Sequence, residues 1–175
     1  TKEVQKNMDN YQLADAVRPI LPFIDDASNW YVRRSRRRFW KSGDDADKND
    51  AYRTLHYVLT QLSMVMAPFT PFLAEELFKK LTGGESVHLL DWPKAGEVNE
   101  LVVADMQNLR VYVNEGLSVR ANNQIKVRQP LKSVSIPENG KIFSFDNILQ
   151  EELNEKSVKT GKFKLDLDIT PEDDA

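Results

Sequence analysis

Apolar residues recur at helical spacing along most of the chain. Leu13, Val17, Ile20, Ile24 and Ala27 step by three and four residues and predict a helix. Pro19 and Pro22 fall inside this stripe, so a kink or local break is expected there. The helix should then run through NWYVRRSRRRFWK, residues 29–41, which contains no Gly or Pro. Ser28, Val32, Ser35 and Phe39 share one face of that run, and this strip, extended back to Ile24, is expected to pack inward. KSGDDADKND ends it, with Gly43 as C-cap. A second helix is predicted from near Asp47, with Tyr52, Leu55, Leu59, Leu62 and Met66 as its stripe and Val58 and Val65 widening it. APFTPF stops it at Pro68 and Pro71. Thr70 can cap a third helix with Pro71 at its first position and Glu75 and Glu76 in its early turns. Leu73, Leu77 and Leu81 should face inward, and Gly83 and Gly84 should end it.

ESVHLLDWPK has no helix or strand period and reads as a loop. From about Val98 another helix carries Val102, Met106, Leu109, Val113 and Leu117, fraying near ANNQ. IKVRQPL reads as extended, because Pro130 restricts Gln129. The pattern then changes. LKSVSI is a short strand pattern, FDNILQEELN a short helix with Asp146 near its start, and KSVKT and FKLDLDI are strands separated by a turn at Gly161. Phe163, Leu165, Leu167 and Ile169 alternate with charged residues. The expected fold is mainly α: an antiparallel helical bundle over residues 1–131, a small α/β appendage over 132–170, and an acidic tail over 171–175.

Composition adds limits. The 175 residues suit one domain, or one with a small appendage. No apolar run approaches the roughly 20 residues that span a bilayer, and TKEVQKNMDN is too polar for a signal peptide. With no Cys there is no disulfide or thiolate metal site, which fits a cytoplasmic location. His56 and His88 are far apart and read as surface or packing residues. The chain does not begin with Met and opens mid-pattern, as a fragment of a longer protein would.

Net charge is −3, so the basic run is a local concentration. Arg33, Arg34, Arg36, Arg37, Arg38 and Lys41 stand together with no acid among them, beside Trp30, Tyr31, Phe39 and Trp40. Like charges stacked on a helix face repel, and an anionic partner relieves the repulsion. RNA phosphate is one such partner, with unpaired bases stacking on Trp or Arg planes. A solvated or acid-paired face is the plainer alternative, and an acidic protein surface a third. Nucleotide-cradling, zinc-protease and nucleophile-elbow motifs are absent. Asp25–Asp26, Asp44–Asp45 and Glu75–Glu76 read as helix-end charges, and Glu151–Glu152 as a solvated helix face.

NWYVRRSRRRFW, DKNDAYRTLHYVL, APFTPFLAEELF, SVHLLDWP and IKVRQPL follow in one order, with EELNEKSV near the end. This series closely resembles the anticodon-binding region of isoleucyl-tRNA synthetases over most of residues 9–160. SVHLLDWP looks most like the eukaryote-like branch, which also occurs in bacteria. Relatives charging valine or leucine share the APF-x-PF-x-x-E element. The resemblance implies one piece of a class I synthetase, without the catalytic domain that bears the HIGH and KMSKS signatures, without the editing domain, and with the first helical elements missing. What it should keep is recognition of the anticodon stem and loop of an isoleucine tRNA. ATP, magnesium and any zinc would bind in parts not present here.

By the same resemblance, Arg33, Arg34, Arg36, Arg37, Arg38 and Lys41 lie against the anticodon arm and contact phosphates and base edges. Trp30 and Trp40 are candidates for stacking or for packing. Arg120, Lys126 and Arg128 supply a second positive patch, against the alternative of a solvated turn. APFTPFLAEEL is scaffold. The rival to an RNA-recognition module is a helical protein-interaction scaffold that docks an acidic partner through the Arg-rich helix. A free-standing enzyme is disfavoured by the missing motifs.

Overall fold

The computed structural model of the chain describes residues 1–43, 45–138 and 145–168. It is mainly α, with a small sheet, and divides into two compact units, 1–96 and 97–175.

The first unit begins with α1 (Lys2–Asp9), α2 (Leu13–Val17) and α3 (Ile20–Asp26). Of the kink or local break expected in the apolar stripe, the structure shows the break, and Pro19 sits at it. Pro22 falls in the first turn of α3, where its missing N–H would have had no helical partner, so it is accommodated. Val4, Ala16, Ile20 and Val65 are buried together, with Met8, Ile24, Leu62 and Trp92 packed around them. A π-helical turn, Ala27–Val32, leads into α4 (Arg33–Phe39). The Arg33 N–H reaches back to the Ser28 carbonyl, five residues away. This wider turn shifts the phase of the helix. Ser35 is buried and Phe39 half-buried as expected, but Ser28 is exposed and Val32 is 36% exposed. Tyr31 takes the inward place instead, its hydroxyl donating to the Ala51 carbonyl at 3.0 Å.

α5 (Ala46–Met66) is capped by Asp45, whose carboxylate accepts the Lys48 N–H at 2.7 Å. α6 (Pro71–Thr82) has Pro71 at its first position and ends on Gly83, whose φ of 68° only glycine adopts without strain. Thr70 stands at the cap position, but its side chain makes no capping bond. The buried face of α6 is Ala74 and Phe78, covered by Val87. Leu77 and Leu81 are half-buried, whereas Leu73, expected inward, is 58% exposed. The loop after α6 contains a 3-10 turn, Val87–Leu89.

In the second unit, α7 (Glu100–Asn122) is capped by the Asn99 side chain, which accepts the Val102 N–H at 3.2 Å. Its buried face is Leu109, Val113, Gly116 and Arg120. IKVRQPL is not extended throughout: residues 127–129 form a turn, and the Gln129 N–H donates to the Lys126 carbonyl at 2.9 Å. β1 (Val134–Ile136), α8 (Asp146–Leu153) and β2 (Val158–Thr160) form a β–α–β crossover with parallel strands. β3 (Lys164–Leu165) pairs antiparallel on the other side of β1, in the order β2-β1-β3. Leu131, Val134, Ile136, Leu149, Leu153 and Leu165 are buried. The boundary between the compact units falls between Gly96 and Glu97, and within the second unit α7 packs on α8 and β3. The expected strand position Ile169, the acid Asp44 and the acidic tail lie outside the described residues.

Candidate nucleic-acid interface

The basic run is sorted by what each cation touches. The Arg38 guanidinium lies 2.8 Å from the Asp47 carboxylate and also donates to the Asp47 carbonyl at 3.1 Å. The Lys41 ammonium lies 3.3 Å from Asp45 and 3.8 Å from Asp47. These two cations are paired with the first turn of α5 and its cap, so for them the acid-paired face is what the structure shows. Arg34 is half-buried and engaged. Arg33 is exposed; its Nε donates to the Asn29 carbonyl at 2.7 Å, and its guanidinium lies 5.9 Å from the ring centre of the half-buried Trp30.

Arg36 and Arg37 are different. Both are exposed, and neither has an acidic partner among the described residues. The Arg36 guanidinium sits 5.7 Å from the ring centre of Trp40, which is 78% exposed. An indole this open costs apolar hydration in the free protein, and a face of this kind is what an unpaired base can stack on. Phe39 instead turns toward α5, 5.0 Å from the Tyr52 ring.

In the second unit Lys126 and Arg128 are exposed. Arg120 is not, and its assignment to a positive surface patch is corrected. Its side chain is 1% exposed, and that of Glu155 is fully closed to solvent. Arg120 Nη1 donates to the carbonyls of Lys126 at 3.2 Å and Gln129 at 2.9 Å. Nη2 donates to the Asn154 carbonyl at 3.3 Å and to Glu155 Oε1 at 3.1 Å. Burial pushes the Glu155 carboxyl up to about 7, against the pull of Arg120 and with help from Asp166. A guanidinium so enclosed meets no phosphate.

Residues 1–136 match the model of a family described as the anticodon-binding domain of tRNA ligase. The chain belongs to this family. Over 172 residues this anticodon-binding domain is 43% identical to an isoleucine–tRNA ligase of Bacillus thuringiensis strain Al Hakam, covering 95% of the chain and 16% of that protein. It is 42% identical over 176 residues to isoleucine–tRNA ligase 2 of Bacillus anthracis, covering 97% and 16%. It is likewise 42% identical over 167 residues to an isoleucine–tRNA ligase of Chlamydia trachomatis serovar D, covering 89% and 16%. The chain thus spans about a sixth of the length of the curated relatives it matches.

Two features of the anticodon-binding domain escape the sequence reading. Glu75 is more than a helix-end charge. Its carboxylate accepts from Lys79 at 2.8 Å and from the Ser86 hydroxyl and the Val87 N–H at 2.9 Å each, tying the loop after α6 to the helix. The Lys79 contact, then the Val87 N–H and the Ser86 hydroxyl, hold its carboxyl down at about 2. The Arg120–Glu155 pair is the other. One signal for it was present: Arg120 is seven residues after Val113 and so continues the buried face of α7. Among the described residues no group of three or more His, Cys, Asp or Glu could hold a metal, and no helix is long and apolar enough to cross a membrane.

Proposed function

We propose that this domain recognises the anticodon arm of an isoleucine tRNA, as one part of a cytoplasmic isoleucine–tRNA ligase. The observation that carries the reading is the exposed trio Arg36, Arg37 and Trp40. It offers unpaired positive charge beside an open aromatic face, while neighbouring cations are already neutralised by Asp45 and Asp47. Phosphate contact supplies affinity, and stacking favours unpaired bases, which is the chemistry of a tRNA loop. Arg36 and Arg37 contact phosphate, Trp40 stacks, Arg33 and Arg34 add positive potential, Trp30 packs, and Arg38 and Lys41 stay paired with Asp47 and Asp45. Lys126 and Arg128 are further phosphate contacts. Activation of isoleucine belongs to other parts of the ligase, with its ATP, magnesium and any zinc; no group of residues among those described here fits a metal.

Titration of the chain with an anticodon stem-loop of an isoleucine tRNA at rising salt tests the reading. If about four phosphates are neutralised, log K falls against log salt with a slope of roughly −3. An unrelated hairpin of equal length should compete poorly. Equal affinity for both hairpins rejects anticodon recognition.

A further inference from the structure

We propose that Arg120 is a positioning residue, which holds the turn at residues 126–129 in the shape that presents Lys126 and Arg128 to RNA phosphates. This rests on the RNA-binding reading above. Two of the guanidinium's four hydrogen bonds go to carbonyls at the two ends of this turn, those of Lys126 and Gln129. The turn is closed further by the Gln129 N–H on the Lys126 carbonyl and by the Ile125 N–H on the Arg120 carbonyl, both 2.9 Å. Its outer surface is Lys126, Val127 and Arg128, all exposed, and neither cation is paired with an acid among the described residues.

Stability alone does not account for such a hub. A buried ion pair gains little over apolar residues of the same volume, because both charges lose their hydration. Here Arg120 Nε and Glu155 Oε2 are also buried with no hydrogen-bond partner among the described residues. What the hub supplies is a fixed backbone. Arg120 is closed off from solvent, so the charge the turn shows outward is that of Lys126 and Arg128 alone. A turn ordered before binding loses less entropy when it meets its ligand.

Two double variants test this, each titrated with the anticodon stem-loop. Lys126→Ala with Arg128→Ala leaves the hub intact; affinity should fall about fivefold to tenfold and the salt slope should become shallower by roughly 1.5 to 2. Arg120→Met with Glu155→Leu replaces the ion pair by an apolar pair; the chain should stay folded, lose affinity to a similar extent, and show no further loss when the two double variants are combined. Unchanged affinity in the folded hub variant overturns the positioning role, and unchanged affinity in the turn variant overturns the site. Should the hub variant fail to fold, hydrogen exchange on the unsubstituted chain decides. The Ile125 and Gln129 amides should be protected without RNA, and exchange at unstructured rates overturns the inference. If Arg36→Glu with Arg37→Glu abolishes binding while the turn variant binds normally, the inference fails and the domain reading stands. If the unsubstituted chain prefers no hairpin, the domain reading fails and takes the inference with it.

Discussion

The Leu153 side chain occupies the place a Cβ would take on Gly116: an added Cβ would stand 2.6 Å from both Leu153 methyl carbons. The glycine therefore sets how closely α7 and α8 approach. Gly116→Ala tests this with a sign opposite to propensity. In a free helix interior the change gains about 1 kcal/mol. Here Leu153 is fully buried and must be displaced, and overpacking of this kind costs about 1–3 kcal/mol. Urea denaturation should show a net loss of about 1 kcal/mol, partly recovered by adding Leu153→Val. A more stable Gly116→Ala chain contradicts the close packing.

The Glu155 carboxyl, raised to about 7 by burial, gives a stability that falls with rising pH. Between its ordinary value of 4.5 and about 7 the folded state holds a proton that the unfolded state has released. Its contribution is therefore fully present below about 4.5 and is lost as pH rises through 7, with an upper bound of about 3 kcal/mol. Urea titrations between pH 5 and pH 8 should show this loss in the unsubstituted chain and a flatter profile in Glu155→Gln. Parallel profiles contradict it.

Much of the helical scaffold was legible because its signals are local. Pro71 opens α6, Gly83 terminates it, and Leu109 and Val113 of α7 follow from spacing, whereas on α5 the buried Ala51 and Ser63 lie outside the expected stripe and Tyr52 is 47% exposed. The π-helical turn was not, since nothing in ASNWYV marks an extra residue per turn, and it exchanges Val32 for Tyr31 on the inward face. Val87 docks on Ala74 and Phe78, which no period within α6 reveals, and Leu73 stays outward. The same holds for the candidate site. The Arg-rich run was visible, but the partners that neutralise Arg38 and Lys41 come from the next helix, and Arg120 meets its acid 35 residues away.

Glu75 makes the opposite pH prediction. Its carboxyl is held at about 2, first by Lys79, so its contribution is present above about 4.5 and is lost as pH falls toward 2. Glu75→Ala removes the acceptor for the Val87 N–H and the Ser86 hydroxyl. In hydrogen exchange at pH 6, protection of the Val87 amide should be lost in Glu75→Ala and retained in part in Glu75→Gln. Equal protection in all three chains shows that Val87 burial alone holds the loop.

The basic helix yields a prediction that separates binding from folding. Arg36 and Arg37 project from α4 without an acid partner among the described residues, so reversing both to Glu removes two phosphate contacts and adds repulsion. Affinity for the anticodon stem-loop should fall at least about tenfold, with thermal stability unchanged, because exposed substitutions away from packing alter stability by only about 0.5 kcal/mol. Arg38→Glu should combine weaker binding with some loss of stability, since it also breaks the contacts to Asp47. Trp40→Ala should cost affinity with little dependence on salt, because stacking is not a counterion effect. Phe39→Ala should do the reverse: it packs on Tyr52 and should lose about 2 kcal/mol of stability, less than a fully buried Phe, with binding impaired only as the fold fails. Normal binding by the Arg36 and Arg37 reversal, or unfolding caused by it, would make these arginines structural and remove the basis for placing RNA on this helix.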